Sequence, residues 1–534
     1  MKKALILLLL LIIACGGSSE ETVVEDTTTT TVQDTTTTTV QDTTTTTVQD
    51  TTTTTIQDTT TTTIQDTTTT TIQESSYQTI NGQKLSHISE RFLASFDMNN
   101  DGLTDLVLGR RNTVPDKKAP IKVYFNNGDG TFTDATTSVL TSIPHAFSPI
   151  GATADFNNDG ILDIAIIDQG DNTKGQMSQG GYIGGEPILL LSNGTKWNVS
   201  NAFIDAVQNA NPKYCWPSCS TTLHAKSITT GDIDNDGDID LYIESGGGYN
   251  NPTPHFMINN GDATFHIDAS DNRRSDKLIW GDTGSHRFAR QKLLDINEDG
   301  YLDLVMGQLR RIDNGQENLS SMIIFNDGNG NFLLGNELKL PYVTWNDGWT
   351  YVKNIVSADL NKDGLIDLIL SHERGNLIPD PENLGNTGRY LQALIQQKNG
   401  NFIDESDSWF GNQEETTVSK INIQENEITN FNGVSDVHYI DINRDGENDL
   451  FFTSDQQLGS HAPLIMLFEN FQFVPVDYED ITLGESWWGQ YSFPIDLNGN
   501  GFYDFIHMDW NIGLDNIWGN EDDYSLIIPT FINY

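Results

Sequence analysis

From Tyr77 onward the chain repeats short apolar runs separated by polar turns rich in Asp, Asn and Gly. One kind of run enters a polar loop, as in Phe92–Phe96, Gly151–Ala154 and Lys292–Leu294. A second kind leaves it, as in Asp105–Leu108, Asp163–Ile167, Asp240–Ile243 and Asp303–Met306. A third ends in a glycine turn and an aromatic: VYFNNGDGTF (Val123–Phe132), FMINNGDATF (Phe256–Phe265), IIFNDGNGNF (Ile323–Phe332) and LIQQKNGNF (Leu394–Phe402). Runs this short, bounded by turn residues, predict strands joined by hairpins rather than helices. A fourth strand in the variable remainder completes an antiparallel sheet of about 60 residues, the size of one propeller blade.

The polar loop between the first two runs recurs seven times in one form. The copies are DMNNDGLTD (Asp97–Asp105), DFNNDGILD (Asp155–Asp163), DIDNDGDID (Asp232–Asp240), DINEDGYLD (Asp295–Asp303), DLNKDGLID (Asp359–Asp367), DINRDGEND (Asp441–Asp449) and DLNGNGFYD (Asp496–Asp504). Their first residues lie 58, 77, 63, 64, 82 and 55 positions apart. Oxygen-bearing side chains occupy positions 1, 3, 5 and 9, and glycine at position 6 permits a turn that a Cβ would oppose. Such a loop suits a hard cation that takes six to eight oxygens, and calcium fits best. The candidate ligands are Asp97, Asn99, Asp101 and Asp105; Asp155, Asn157, Asp159 and Asp163; Asp232, Asp234, Asp236 and Asp240; Asp295, Asn297, Asp299 and Asp303. The later loops add Asp359, Asn361, Asp363 and Asp367; Asp441, Asn443, Asp445 and Asp449; Asp496, Asn498, Asn500 and Asp504. The seventh loop has Asn500 where the others carry Asp, so it is expected to bind most weakly.

An EF-hand needs a Glu at position 12. Here that position holds Leu108, Ile166, Ile243, Met306, Leu370, Phe452 and His507. The repeats instead resemble the FG-GAP/VCBS calcium-loop propellers and are similar to the head of integrin α subunits, over Tyr77–Tyr534. That resemblance implies an all-β, seven-bladed β-propeller with a calcium loop between the first two strands of each blade and up to seven structural Ca²⁺. A closed ring leaves no open sheet edge, so Tyr77–Leu85 is expected to join the last blade.

With the loops fixed and alike on one face, individuality falls on the opposite face, where long connections of differing length converge. Rigid scaffolds usually place binding there, and the resemblance implies the same. Near the starts of innermost strands stand His87, His145, His224 and His286, with Trp349 and Trp487 at comparable places and Arg110, Arg310 and Arg374 nearby. Packing between blades accounts for these residues; so does a site for a polar peptide or glycan. His372, Glu373 and Arg374 form an acid–base combination, but no nucleophile, base and oxyanion site occur together. Adhesion or ligand binding is the expected role. The alternatives are a carbohydrate-active enzyme resembling polysaccharide lyases, or a purely structural surface component.

The segment before the repeats is of another kind. Met1–Ala14 (MKKALILLLLLIIA) reads as a secretory signal, too short to span a bilayer. Cys15 after Ile12-Ile13-Ala14 resembles a bacterial lipobox, which implies a lipid-anchored mature N-terminus over residues 15–26 and export to the outer membrane or cell surface. Residues 27–76 carry six octads of the form TTTTT-[VI]-Q-[DE] over Thr27–Glu74, expected to be an extended disordered stalk. Cys215 and Cys219, in YCWPSC, are expected to pair as a disulfide in an exported protein.

Charge then narrows the partners. The chain has 75 acidic and 29 basic residues, net −46. Even with about 14 charges offset by seven Ca²⁺ the surface stays acidic. Nucleic acid, which is bound through basic patches, is excluded as a partner. An extracellular protein or glycan is expected, with membrane contact only through the anchor.

Overall fold

The computed structural model describes residues 91–109, 118–170, 185–209, 225–245, 256–267, 288–308, 320–344, 350–374, 389–411, 436–453, 465–475, 491–501, 503–511 and 524–533. Short pieces at 31–33, 39–41, 76–79, 83–85, 413, 421–422 and 427–428 are also described. The chain divides into two units, residues 1–76 with Tyr534, and Tyr77–Asn533. In the first, two TVQ strands of successive octads, Thr31–Gln33 and Thr39–Gln41, pair antiparallel.

The second unit is an all-β propeller. Blade 1 comprises Arg91–Phe96, Asp105–Gly109, Lys122–Asn126 and Phe132–Asp134. Blade 2 is Pro149–Ala154, Asp163–Asp168, Ile188–Ser192 and Trp197–Ser200; blade 3 is Ala225–Gly231, Asp240–Ser245, Phe256–Asn259 and Phe265–Ile267. Blade 4 is Phe288–Leu294, Asp303–Gln308, Met322–Asn326 and Phe332–Lys339; blade 5 is Thr350–Ala358, Asp367–Arg374, Arg389–Gln396 and Phe402–Asp404. Blade 6 is Asp436–Ile440, Asp449–Thr453, Ile465–Glu469 and Gln472–Pro475. In each, strands pair antiparallel in chain order, and from blade 1 to blade 6 the first strands of successive blades lie side by side.

The expectation of seven like blades is corrected here. The structure has six four-stranded blades, and the seventh motif copy lies in a five-stranded sheet of different make-up. Tyr491–Ile495 and Asp504–Asn511 flank the Asp496–Asp504 loop, and Tyr524–Asn533 pairs with the second of them. The outer places go to N-terminal strands: Ser76–Thr79 lies in this sheet, and Gln83–Leu85 pairs with Tyr524–Asn533 in the register Ser525↔Leu85 to Ile527↔Gln83. Strands N-terminal to blade 1 and C-terminal to blade 6 therefore complete the closing sheet, as the open-edge argument expects. Counting motif copies counts loops, and a loop does not guarantee four consecutive strands around it.

The core lies between sheets. The second strand of blade 1 is buried at every residue. Its Val107 packs toward blade 2 with Leu190 and Trp197, while Leu106 and Leu108 pack toward Phe493, Ile495 and Ile506 of the closing sheet. Burial on both faces explains why these strands read as continuous apolar runs rather than alternations. Phe92 stacks on Phe493 with ring centroids 4.1 Å apart, and Phe451 of blade 6 stacks on Phe505 at 4.5 Å. Hydrophobic contact is thus continuous around the closure. Short helices, which the sequence pattern does not announce, follow three outermost strands. Phe203 of Ala202–Asn209 meets Phe265 at 4.9 Å between blades 2 and 3, and Trp409 and Phe410 of Ser406–Phe410 pack against Phe473 between blades 5 and 6.

Candidate metal centre

Every loop runs from an innermost strand to the second strand, and one set of hydrogen bonds shapes them all. Position 1 accepts at one carboxylate oxygen from the backbone N–H of position 6: Asp97 from Gly102 (2.8 Å), Asp155 from Gly160 (2.7 Å), Asp295 from Gly300 (2.9 Å) and Asp496 from Gly501 (2.7 Å). Position 5 accepts from the N–H of position 7, as Asp299 does from Tyr301 (3.0 Å). Glycine at position 6 has φ between +83° and +95° in all seven loops. Position 4 is left-handed too, at φ 58–62° for Asn100, Asn158, Asn235, Glu298, Lys362 and Arg444. Asn accepts that conformation readily, whereas Glu298, Lys362 and Arg444 hold it at a cost. The seventh loop puts Gly499 there, where a Cβ would sit 3.2 Å from Leu103 of the first loop.

Position 9 differs in kind. The Asp105, Asp163, Asp240, Asp303, Asp367 and Asp449 side chains are wholly buried. One oxygen accepts from the N–H of position 2, for example Asp303 from Ile296 (3.2 Å) and Asp240 from Ile233 (2.9 Å). The other accepts from the end of the third strand: Asn126, Ser192, Asn259, Asn326, Gln396 and Phe468 donate their N–H groups at 2.7–2.9 Å. This carboxylate ties loop, second strand and third strand together. Burial pushes the Asp240 carboxyl up to about 7 and those of Asp105, Asp163 and Asp303 up to about 6, the two N–H donors opposing the rise and neighbouring loop carboxylates adding to it.

The donor set suits a hard divalent cation. Oxygens of Asp232, Asp234 and Asp240 lie within 4.8 Å of one another. In the sixth loop Asp441 Oδ1 is buried with no hydrogen-bond donor, and a cation is the partner a carboxylate oxygen lacks there. The residues that would hold it are those at positions 1, 3, 5 and 9. The seventh loop departs as its sequence implies. Asn498 donates to Asp504 (3.3 Å), whereas Asn99, Asn157, Asn297, Asn361 and Asn443 donate to the Asp at position 5.

Sequence reasoning missed a second fastening. The side-chain amide at the end of the third strand reaches into the neighbouring sheet and donates to the carbonyl at position 2 of its loop. Asn126 does so to Leu497 (3.0 Å), Asn259 to Phe156 (2.7 Å), Asn326 to Ile233 (2.8 Å) and Gln396 to Ile296 (2.9 Å). The recurring Asn before the glycine turn is the signal, read from the sequence only as turn chemistry. Ser192 and Phe468 occupy the place in blades 2 and 6 and carry no amide.

The residues expected on the opposite face separate. His87, His224, His286, Trp349, Trp487, Arg110 and Arg310 lie outside the described residues, as do Cys15, Cys215 and Cys219. Arg374 ends the second strand of blade 5. His145 is exposed, but it sits on a two-residue ribbon paired with Pro120 rather than on the innermost strand, which starts at Pro149. Its Nδ1 lies 3.1 Å from the Ile143 carbonyl.

His372 and Glu373 are buried. His372 joins a polar row across blade 5, with Thr350 Oγ1 3.0 Å from Nδ1 and Gln392 Oε1 3.2 Å from Nε2; Gln392 in turn donates to Asp404 (2.8 Å). Glu373 pairs with Lys353 at 2.8 Å. Burial lowers the His372 pKa from 6.5 to about 4. The unfolded chain thus takes up this proton at higher pH than the folded one, so stability falls as pH drops from about 6.5 to about 4. The penalty is about 3 kcal/mol. His372→Gln removes it, so the melting-temperature gap between wild type and variant should narrow between pH 7 and pH 4; a constant gap would refute the assignment.

A family comparison accords with this architecture. Residues 97–166 match the family model described as an FG-GAP-like repeat. A curated relative, human "Cartilage acidic protein 1", is 24% identical over 341 residues, 54% of this chain. The match spans 45% of that relative's length. Among solved structures, BBS1N in complex with ARL6DN aligns over 84% of this chain and 98% of its own, at TM-score 0.38 and 8% identity. An alpha-L-arabinofuranosidase from Clostridium thermocellum aligns over 62% and 95%, at TM-score 0.30 and 12% identity.

Proposed function

We propose that the chain is a calcium-stabilised propeller acting as an adhesion or ligand-binding module, carried on a bacterial surface by a threonine-rich stalk and a lipid anchor at Cys15. The observation that carries this reading is the sameness of the loops. A site built alike in sheet after sheet serves the ring, so recognition of a protein or glycan belongs to the opposite face, where connections differ. Calcium at the loops would neutralise clustered carboxylates and pin each turn. At 100-fold excess over its Kd, one site binding only the folded state adds roughly 2.7 kcal/mol.

Calcium should therefore raise the melting temperature and EDTA should lower it, while circular dichroism at 20 °C keeps its β signature. An unchanged melting temperature in EDTA would refute the structural role. The ligand reading is tested by probing glycan and protein arrays with the purified protein, alongside an assay for polysaccharide cleavage. Binding without turnover supports a recognition module. Turnover on any glycan makes it an enzyme, and neither result leaves a structural surface component.

A further inference from the structure

The innermost strands invert the charge of the chain. Among the described side chains of the seven first strands there are three basic residues, Arg290, Lys292 and Lys353, and no acid. The chain as a whole carries 75 acids to 29 bases. Around the axis of the ring the strands are thus net positive within a molecule of net −46. Walls of one sign and low dielectric focus their field into the space they enclose and concentrate counter-ions there.

Blades 4 and 5 give this wall its geometry. Arg290 and Lys292 project from the innermost strand of blade 4 toward that of blade 5. Arg290 Nε donates to the Lys353 carbonyl at 2.7 Å. Lys292 Nζ donates to Ser357 Oγ at 3.0 Å and to the Ile355 carbonyl at 3.4 Å. An ammonium has three donors, and both Lys292 partners are neutral oxygens. Lys353, by contrast, has its own carboxylate in Glu373. Lys292 is partly buried, and among the described residues its partners include no carboxylate, although the chain has acids to spare. A desolvated cation of this kind is costly unless an anion completes it.

We propose that the axial wall between the innermost strands of blades 4 and 5 is an oxyanion site, with the Lys292 ammonium holding a carboxylate or sulfate group. The site uses none of the residues at positions 1, 3, 5 and 9 of the calcium loops. Its oxyanion belongs either to a small free anion or to an acidic glycan whose end reaches the axis.

The test uses the full-length protein in calcium buffer at constant ionic strength, titrated by calorimetry with sodium sulfate, sodium acetate or a sulfated oligosaccharide. Sulfate or acetate should bind at one site, and Lys292→Met should weaken it at least about 10-fold (1.4 kcal/mol). Lys292→Arg, which keeps the charge, should retain binding. Binding of the oligosaccharide far more tightly than sulfate assigns the glycan source; equal binding assigns the free anion. In parallel, acetylation of Lys292 in the wild-type chain is followed by peptide mass spectrometry. Sulfate should slow that modification several-fold and spare exposed lysines. This second measurement needs no variant to fold. No anion binding, equal affinity in Lys292→Met, or unprotected Lys292 would each overturn the proposal.

Discussion

Asp303→Ala should destabilise the propeller strongly even with every divalent cation chelated, whereas Asp299→Ala under the same conditions should change little. Both residues belong to one candidate metal loop, so a purely metal-based account gives them similar weight. The hydrogen bonds do not. Asp299 is exposed and accepts from a loop amide that water can serve equally well. Asp303 is fully buried and is the acceptor for the N–H groups of Ile296 and Asn326. Removing it strands two buried donors, each costing about 1–3 kcal/mol. The expected loss is therefore about 2–6 kcal/mol, read as a large drop in melting temperature in EDTA. Restoring calcium should rescue neither variant fully. Equal destabilisation of the two in EDTA would show that position 9 acts only through a cation.

Deleting residues 77–85 should lower the melting temperature further than deleting residues 27–74. The longer deletion removes only the octads. The shorter one removes Gln83–Leu85, which covers an edge of Tyr524–Asn533 and closes the ring on its N-terminal side. Without it that strand exposes unpaired backbone groups, and the chain gains a self-association hazard alongside its lost stability. Thermal melts and light scattering on both truncations check this. A 77–85 deletion that melts like the intact protein and stays monodisperse would refute closure by strand exchange.

These outcomes follow from features of unequal legibility. The DxNxDG loops and the DLVL runs after them carried the fold, because turn chemistry and two-sided burial are local and leave a mark on consecutive residues. The number of regular blades was not legible in the same way. Asp496–Asp504 repeats the loop motif, yet its sheet is completed by Ser76–Thr79 and Gln83–Leu85 from before blade 1, a partnership no local pattern encodes. The Asn126, Asn259 and Asn326 amides were visible as turn residues, but their acceptors lie 371, 103 and 93 residues away. Only the recurrence of an amide at one place in the repeat hinted at a shared task. Lys292 was hidden for a different reason: a lone lysine in an apolar run is unremarkable until the neighbouring strand is known to offer it only neutral oxygens. His372 looked like chemistry in the sequence and is an interior residue, since an apparent acid–base set says nothing about access.

The way the ring closes also sets how it would bear load. Tension arriving from the N-terminal side along the chain enters the closing sheet at the short strands Ser76–Thr79 and Gln83–Leu85, the second of which pairs with Tyr524–Asn533 over three residue pairs. Those pairs are antiparallel neighbours in one sheet. The first event under force should then be release of these short N-terminal strands, with the six regular blades left folded behind them. A propeller tethered by the strand that completes it would have a mechanical fuse at its point of attachment, and single-molecule pulling should show a small first extension before any blade gives way.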